Sequence, residues 1–230
     1  MELSFGRRPV PLWLDAGAPP GGALPLSERP LAFERLLPVR DMGFSYATDY
    51  SAAGIPLGMS ILVGQRVQGA RLSLLGPRGA APLPRLEGGV TYAGRVPRGD
   101  GDGPLRDIVI LSADLAARWR WLRVEALGLV INPGDEDPDS ADADRQPQQA
   151  WSALVALQPL PDFLDLVARY ERLQVADAIL PFGDLTRLTY GVNLHYLPGR
   201  FLIGWDRTMD WDTTAPDRVV TDRLRVSLAF

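Results

Sequence analysis

His195 is the one histidine in the sequence, so acid–base chemistry would start there. Asn193 stands two residues before it. In an extended strand both side chains leave the same face, which leaves an Asn–His pair geometrically open. A protease or phospholipase would also need a hydroxyl nucleophile. No serine shares that strand face, although another strand could supply one. The competing reading is an ordinary histidine at a strand end. Cysteine is absent, which excludes a thiol nucleophile, a zinc–thiolate site, an iron–sulfur cluster and a disulfide scaffold. Residues 135–144 hold six acids in ten positions and so raise the question of Ca²⁺. An EF-hand loop fails there: position six is Ser140 rather than Gly, and position twelve is Gln146 rather than Glu. Divalent bridging to lipopolysaccharide competes with a plain solvated loop, and the solvated loop is the simpler reading. Asp100-Gly101-Asp102-Gly103 reads first as a turn. No metal site and no cofactor are expected.

The larger chemical signal is a set of charges spaced two apart. Asp114, Arg118, Arg123, Glu125, Asp165, Arg169, Glu171, Asn193, His195, Asp206, Arg223 and Arg225 each fall on the polar side of an alternating segment. Such a row lining a barrel keeps it wet and sets ion preference by its charge. An internal salt-bridge network that fills the barrel would use the same residues. Arg40 and Asp41 form an adjacent pair that suits either a constriction or a local contact pinning a loop to the wall.

These residues need strands to carry them. The last residues alternate strictly: Leu224, Val226, Leu228 and Phe230 against Arg223, Arg225, Ser227 and Ala229. The same period predicts eight well-defined strands over 88–230, at about 88–97, 106–119, 121–131, 149–159, 162–174, 185–197, 200–208 and 219–230. Most run longer than the roughly 5–6 residues of globular strands and match the roughly 9–11 of membrane-spanning ones. Short turns near 119–121, 159–162 and 197–200 alternate with longer connections at 97–106, 131–148, 174–185 and 208–219. An outer-membrane barrel has this asymmetry. Weaker strands are predicted at about 2–8, 41–50, 57–64 and 67–75. Residues 9–40, rich in Pro and Gly, read as a long loop or constriction segment. The expectation is one domain over 1–230: an all-β, antiparallel up-and-down transmembrane barrel of about twelve strands, between ten and sixteen, whole or partial. Trp119, Trp121, Tyr170, Tyr196, Trp205 and Trp211 are expected near strand ends, as an aromatic girdle.

Composition agrees. The 230 residues include 23 Gly and 21 Pro, which suits many turns between short elements. All 24 basic residues are arginine, and the net charge of −4 argues against a nucleic-acid partner. No apolar run reaches the roughly 20 residues of a spanning helix. The N-terminus, MELSFGRRPVPL, has no signal-peptide apolar core.

Three stretches resemble the phosphate-selective porin O and P family. Residues 5–15, FGRRPVPLWLD, resemble its Gly-x-x-x-x-Pro-Phe-type strand and turn. Residues 28–43, ERPLAFERLLPVRDMG, resemble its Glu-Arg segment and Pro-x-Arg-Asp-x-Gly motif, here Pro38, Arg40, Asp41 and Gly43. Residues 106–131 and 162–230 look like its closing hairpins. The final strand also resembles an outer-membrane targeting signal, carried by Leu224, Val226, Leu228 and Phe230. The resemblance implies a bacterial outer-membrane channel that is not an enzyme. It implies contacts with outer-membrane lipid, lipopolysaccharide and the barrel-assembly machinery, passage of small ions or solutes, and a homotrimer. Members have about sixteen strands and a signal peptide, so a shortened or reduced barrel is expected. Phosphate selectivity in the family is attributed to constriction arginines and a lysine ladder. With no lysine here, arginine would have to replace that ladder.

The function expected is passive diffusion of small solutes or ions, anions such as phosphate among them. The alternatives are a plugged or partial barrel serving as a structural or assembly component, an outer-membrane hydrolase using His195, and a soluble β-rich binding protein.

Overall fold

A computed structural model describes residues 2–9, 26, 31, 40–53, 55–74, 85–95, 109–119, 121–132, 148–160, 163–174, 184–197, 201–212 and 218–228. Twelve strands run through them: β1 Glu2–Pro9, β2 Arg40–Ala52, β3 Ile55–Gly64, β4 Val67–Leu74, β5 Arg85–Arg95, β6 Val109–Arg118, β7 Leu122–Asn132, β8 Gln148–Leu160, β9 Leu164–Gln174, β10 Leu185–Leu197, β11 Phe201–Asp212 and β12 Val219–Leu228. They form one sheet in strict sequence order, each antiparallel to the next. This is the up-and-down meander expected from the alternation. Among the described residues no ladder joins β12 to β1, so both are edges.

The boundaries refine the expectation. β5 starts three residues earlier than predicted, and β11 runs four residues further, to Asp212. The short turns at 119–121, 161–163 and 198–200 share one end of the sheet with the turn at 53–54, where Ala53 takes φ 51°. Two connections break the short–long asymmetry. Residues 75–84 are long at the short-turn end, and Gln65–Arg66 is a two-residue turn at the other.

Burial is inverted relative to a water-soluble sheet. Along β8, Gln148, Ala150, Ser152, Leu154 and Ala156 are buried, while Gln149, Trp151, Ala153, Val155 and Leu157 are exposed. On one face Arg71, Glu87, Arg169, Glu171, Arg187 and Asp206 are buried. On the other, Leu72, Val90, Leu111, Leu115, Val155, Leu224 and Val226 are exposed. A chain folding in water would hide the second set, since each exposed leucine forgoes about 2 kcal/mol of burial. The arrangement is stable where the outer solvent is lipid. Among the described residues no helix is long and apolar enough to cross a membrane.

Candidate functional site: the polar face

The site is the polar face itself, held by period-two alternation on twelve adjacent strands. Asp114 and Arg118 project from β6, Arg123 and Glu125 from β7, and Asp165, Arg169 and Glu171 from β9. Asn193 and His195 follow on β10, Asp206 on β11, and Arg223 and Arg225 on β12, with Asp41 on β2. All stand on this one face, by alternation and ladder register. The side chain of Arg40 lies outside the described residues.

Most of the charges pair with one another, although Arg85 Nε, Arg118 Nε, Arg223 Nη1 and Arg225 Nε are buried without a hydrogen-bond partner among the described residues. Arg71 donates from Nη2 to Asp114 Oδ1 at 2.8 Å and from Nη1 to Thr91 Oγ1 at 3.0 Å. Arg169 Nε donates to Glu171 Oε2 at 2.9 Å. Arg187 makes a bidentate pair with Asp210, at 2.7 and 2.8 Å. Arg85, Arg118 and Arg123 stand directly opposite one another on β5, β6 and β7. Two acids serve these three: Glu87 pairs with Arg85 and Arg118, and Glu125 with Arg118 and Arg123. Guanidiniums buried as deeply as Arg71, Arg169 and Arg187 persist only when paired, because desolvating an isolated charge costs several kcal/mol.

Glycines make room for the pairs that cross a strand. Gly89 on β5 lies between Ser73 of β4 and Asp114 of β6. A Cβ there would meet Arg71 Nη2 at 2.5 Å, so only glycine lets that guanidinium pass over β5. Gly204 on β11 repeats the device. It separates Asn193 from Arg225, whose Nη2 donates to Asn193 Oδ1 at 3.0 Å.

The Asn193–His195 pair that the spacing left open does not form. His195 Nε2 lies 2.8 Å from Asp165 Oδ2, and Asp165 Oδ1 accepts from Gln158 Nε2 at 2.9 Å. Residues two apart on one strand are about 6.5 Å apart, further than cross-strand neighbours. Each of the two therefore finds a partner on another strand. Asp41 likewise serves local structure. Its carboxylate accepts from the backbone N–H groups of Met42, Arg66 and Val67, at 2.9, 2.6 and 2.8 Å, and so caps the β3–β4 turn.

Two residues of the long β1–β2 connection rest on the polar face. Leu26 is 2% exposed and Leu31 1% exposed. Leu26 clusters with Leu154, Ala156 and Val167. The Leu31 N–H donates to Glu171 Oε1 at 2.7 Å, and Arg225 Nη1 reaches the Leu26 carbonyl at 3.4 Å.

Sequence reasoning missed Arg71, Arg85, Glu87, Arg187 and Asp210. Arg187 has the parity of Thr189 and was recoverable from it. Asp210 lies past the predicted end of β11. Aromatics gather at the short-turn rim, where Trp119, Trp121, Phe163 and Tyr196 are exposed. Trp205 and Tyr170 sit nearer mid-strand than predicted, packed edge-on against Tyr190 and tilted against Trp151 respectively. Phe230 and the side chain of Leu228 lie outside the described residues, while Leu224 and Val226 face outward.

No family model matches the sequence, and no curated protein matches it. Solved structures do. OccK9 (OpdG) of Pseudomonas aeruginosa superposes with a TM-score of 0.55 at 15% identity, over 83% of this chain and 54% of its own. The chain has a porin-type fold. A BenF-like porin from Pseudomonas fluorescens Pf-5 matches with a TM-score of 0.54 at 12% identity, over 84% of this chain and 55% of that one. OccAB4 of Acinetobacter baumannii matches at 0.55 and 14% identity, over 98% and 71%. The chain thus spans about half the length of the two Pseudomonas structures.

Proposed function

We propose that this chain forms the wall of a bacterial outer-membrane channel for passive diffusion of small solutes or ions, by size and charge and without covalent chemistry. The inverted burial carries this reading. Twelve antiparallel strands bury Arg, Glu and Asp on one face and expose Leu, Val and Trp on the other. Lipid is the solvent that suits the outer face, and a water-filled lumen suits the inner one. The porin-type fold supports the reading.

The residues proposed to line the passage are those of the polar face, from Asp114 and Arg118 to Arg223 and Arg225. The row of Arg85, Arg118 and Arg123, set among Glu87 and Glu125, favours anions locally. Phosphate remains the candidate that the sequence resemblance suggests. Leu224 and Val226 are proposed, with Leu228 and Phe230, as the signal read by the assembly machinery. Lipopolysaccharide contact and trimerisation belong to the same proposal.

A structural role is the second reading. Among the described residues β1 and β12 are edges, and Leu26 and Leu31 rest on the polar face. Both features favour a partial or plugged barrel. Swelling of liposomes loaded with the protein separates the two. Size-graded entry of uncharged sugars is the outcome expected of a channel. No swelling, with insertion verified, would select the structural role.

A further inference from the structure

Within the strands, the apolar face carries charge at three positions whose side chains are described: Arg172, Arg207 and Asp222. Arg172 stands at a rim, two residues from the end of β9, and pairs with Asp184 outside the strands. Arg207 and Asp222 stand deeper. Trp205 and Met209 flank Arg207 on the same face of β11, and Val220 and Leu224 flank Asp222 on β12. The two charged residues are direct partners in the β11–β12 ladder. Arg207 Nε and Nη2 donate to Asp222 Oδ1 and Oδ2, each at 2.8 Å. The guanidinium carbon lies 5.8 Å from the centre of the Trp205 ring. The Arg169–Glu171 pair of the polar face is buried, whereas here the side chains are 40% and 47% exposed.

Lipid tails offer an exposed ion pair no hydrogen bonds, and charge on a lipid-facing strand costs most away from the rims. Ionisable groups at such depth face protein or a water-filled cavity. Apolar neighbours on both sides along each strand hold lipid headgroups away. The cover that fits is protein carrying both signs of charge, and a second copy of this chain carries them. Side by side on adjacent strands, Arg207 and Asp222 are self-complementary. A rotation axis along the membrane normal, set in front of the pair, brings each Arg207 against the Asp222 of the next copy.

We propose that copies of this chain associate through the outward faces of β11 and β12, with Arg207 and Asp222 alternating around the axis. The proposal rests on the apolar face being lipid-facing, not on an open passage, and it gives the proposed oligomer its contact face.

The chain has no cysteine, so single cysteines report contact between copies. Leu224 on β12 and Leu111 on β6 are both exposed on the apolar face. In phosphatidylcholine vesicles under an oxidant, Leu224→Cys should form disulfide-linked pairs roughly tenfold or more faster than Leu111→Cys. Asp222→Arg and, separately, Arg207→Asp should each slow the crosslinking of Leu224→Cys by roughly tenfold, because like charges then meet across the axis. Mixed in one vesicle and told apart by tags of different length, these two variants should crosslink to each other at least as fast as the parent. An ion pair that serves only its own two strands predicts no such recovery. Heat-modifiable migration on gels verifies the barrel in each variant. The comparison of Leu224→Cys with Leu111→Cys alters no charge and carries the test if a charge variant fails to fold. Equal crosslinking at these two positions, or no recovery on mixing, overturns the interface. A parent chain that does not float with the vesicles overturns the lipid-facing reading and the interface with it. Crosslinking at Leu224→Cys with recovery on mixing, from a chain that passes no current, upholds the interface while the channel reading fails.

Discussion

Arg71 on β4 and Asp114 on β6 are joined across the intervening strand, over Gly89. The guanidinium lies where a Cβ at position 89 would be. Asp114→Asn leaves a buried cation half-paired and is expected to cost about 3 kcal/mol. Gly89→Val is expected to cost a similar amount, because the Cβ would also meet Leu72 O at 2.8 Å. The two changes remove one interaction, so the double variant should lose less than the sum. Urea unfolding in bilayers, followed by tryptophan fluorescence, measures all three.

Selectivity should follow the Arg85–Arg118–Arg123 row. Arg123→Gln removes one of the cations beside Glu125 and should move the reversal potential toward cation preference. Glu87→Gln should move it the other way. Reversal potentials under a salt gradient, with both variants beside the parent, read the sign directly.

The two faces should answer oppositely to an added charge. Val155→Arg points outward from mid-β8 and is expected to cost about 2–4 kcal/mol in a bilayer. Ser227→Arg points to the polar face of β12, and should stay within about 0.5 kcal/mol. Equilibrium unfolding in lipid vesicles compares them. Equal costs would contradict the assignment of the faces.

Asp184, just before β10, accepts from Arg172 Nη2 at 2.8 Å and Gln174 Nε2 at 3.1 Å. The hydrogen bond from Arg172 holds its carboxyl below the usual aspartate range. A depressed acid contributes stability above its unfolded pKa and loses it as pH falls through the folded one. The contact of Asp184 with Arg172 and Gln174 should therefore be lost only below about pH 4. Asp184→Asn should remove that acid transition, as hydrogen exchange of the flanking strand ends would show.

Much of this architecture was legible in the residues. The eight strands over 88–230 fell within a few residues of where period-two alternation placed them, because each face meets a different solvent and every residue must declare a side, and the four weaker front strands lie near their predicted ranges. The face of Arg118, Glu125, Arg169 and Arg225 followed from parity alone. Pairing did not. Asn193 and His195 share a face, yet each bonds to a different strand, and only register decides which residue is opposite. The front strands hid Arg71, because Gly58, Gly69 and Pro56 blur the apolar rhythm there. Residues 9–40 read as a long loop or constriction segment, but that Leu26 and Leu31 rest on the polar face was not legible, since two leucines in a Pro-rich connection carry no periodicity.

That the chain walls an open passage is tested most directly by single-channel recording of the refolded protein in a planar bilayer under a salt gradient. Steady ohmic steps are predicted, with a reversal potential that shifts toward cations in Arg123→Gln. Silent membranes containing verifiably inserted protein would contradict the channel, and would leave the polar face as a filled, structural interior.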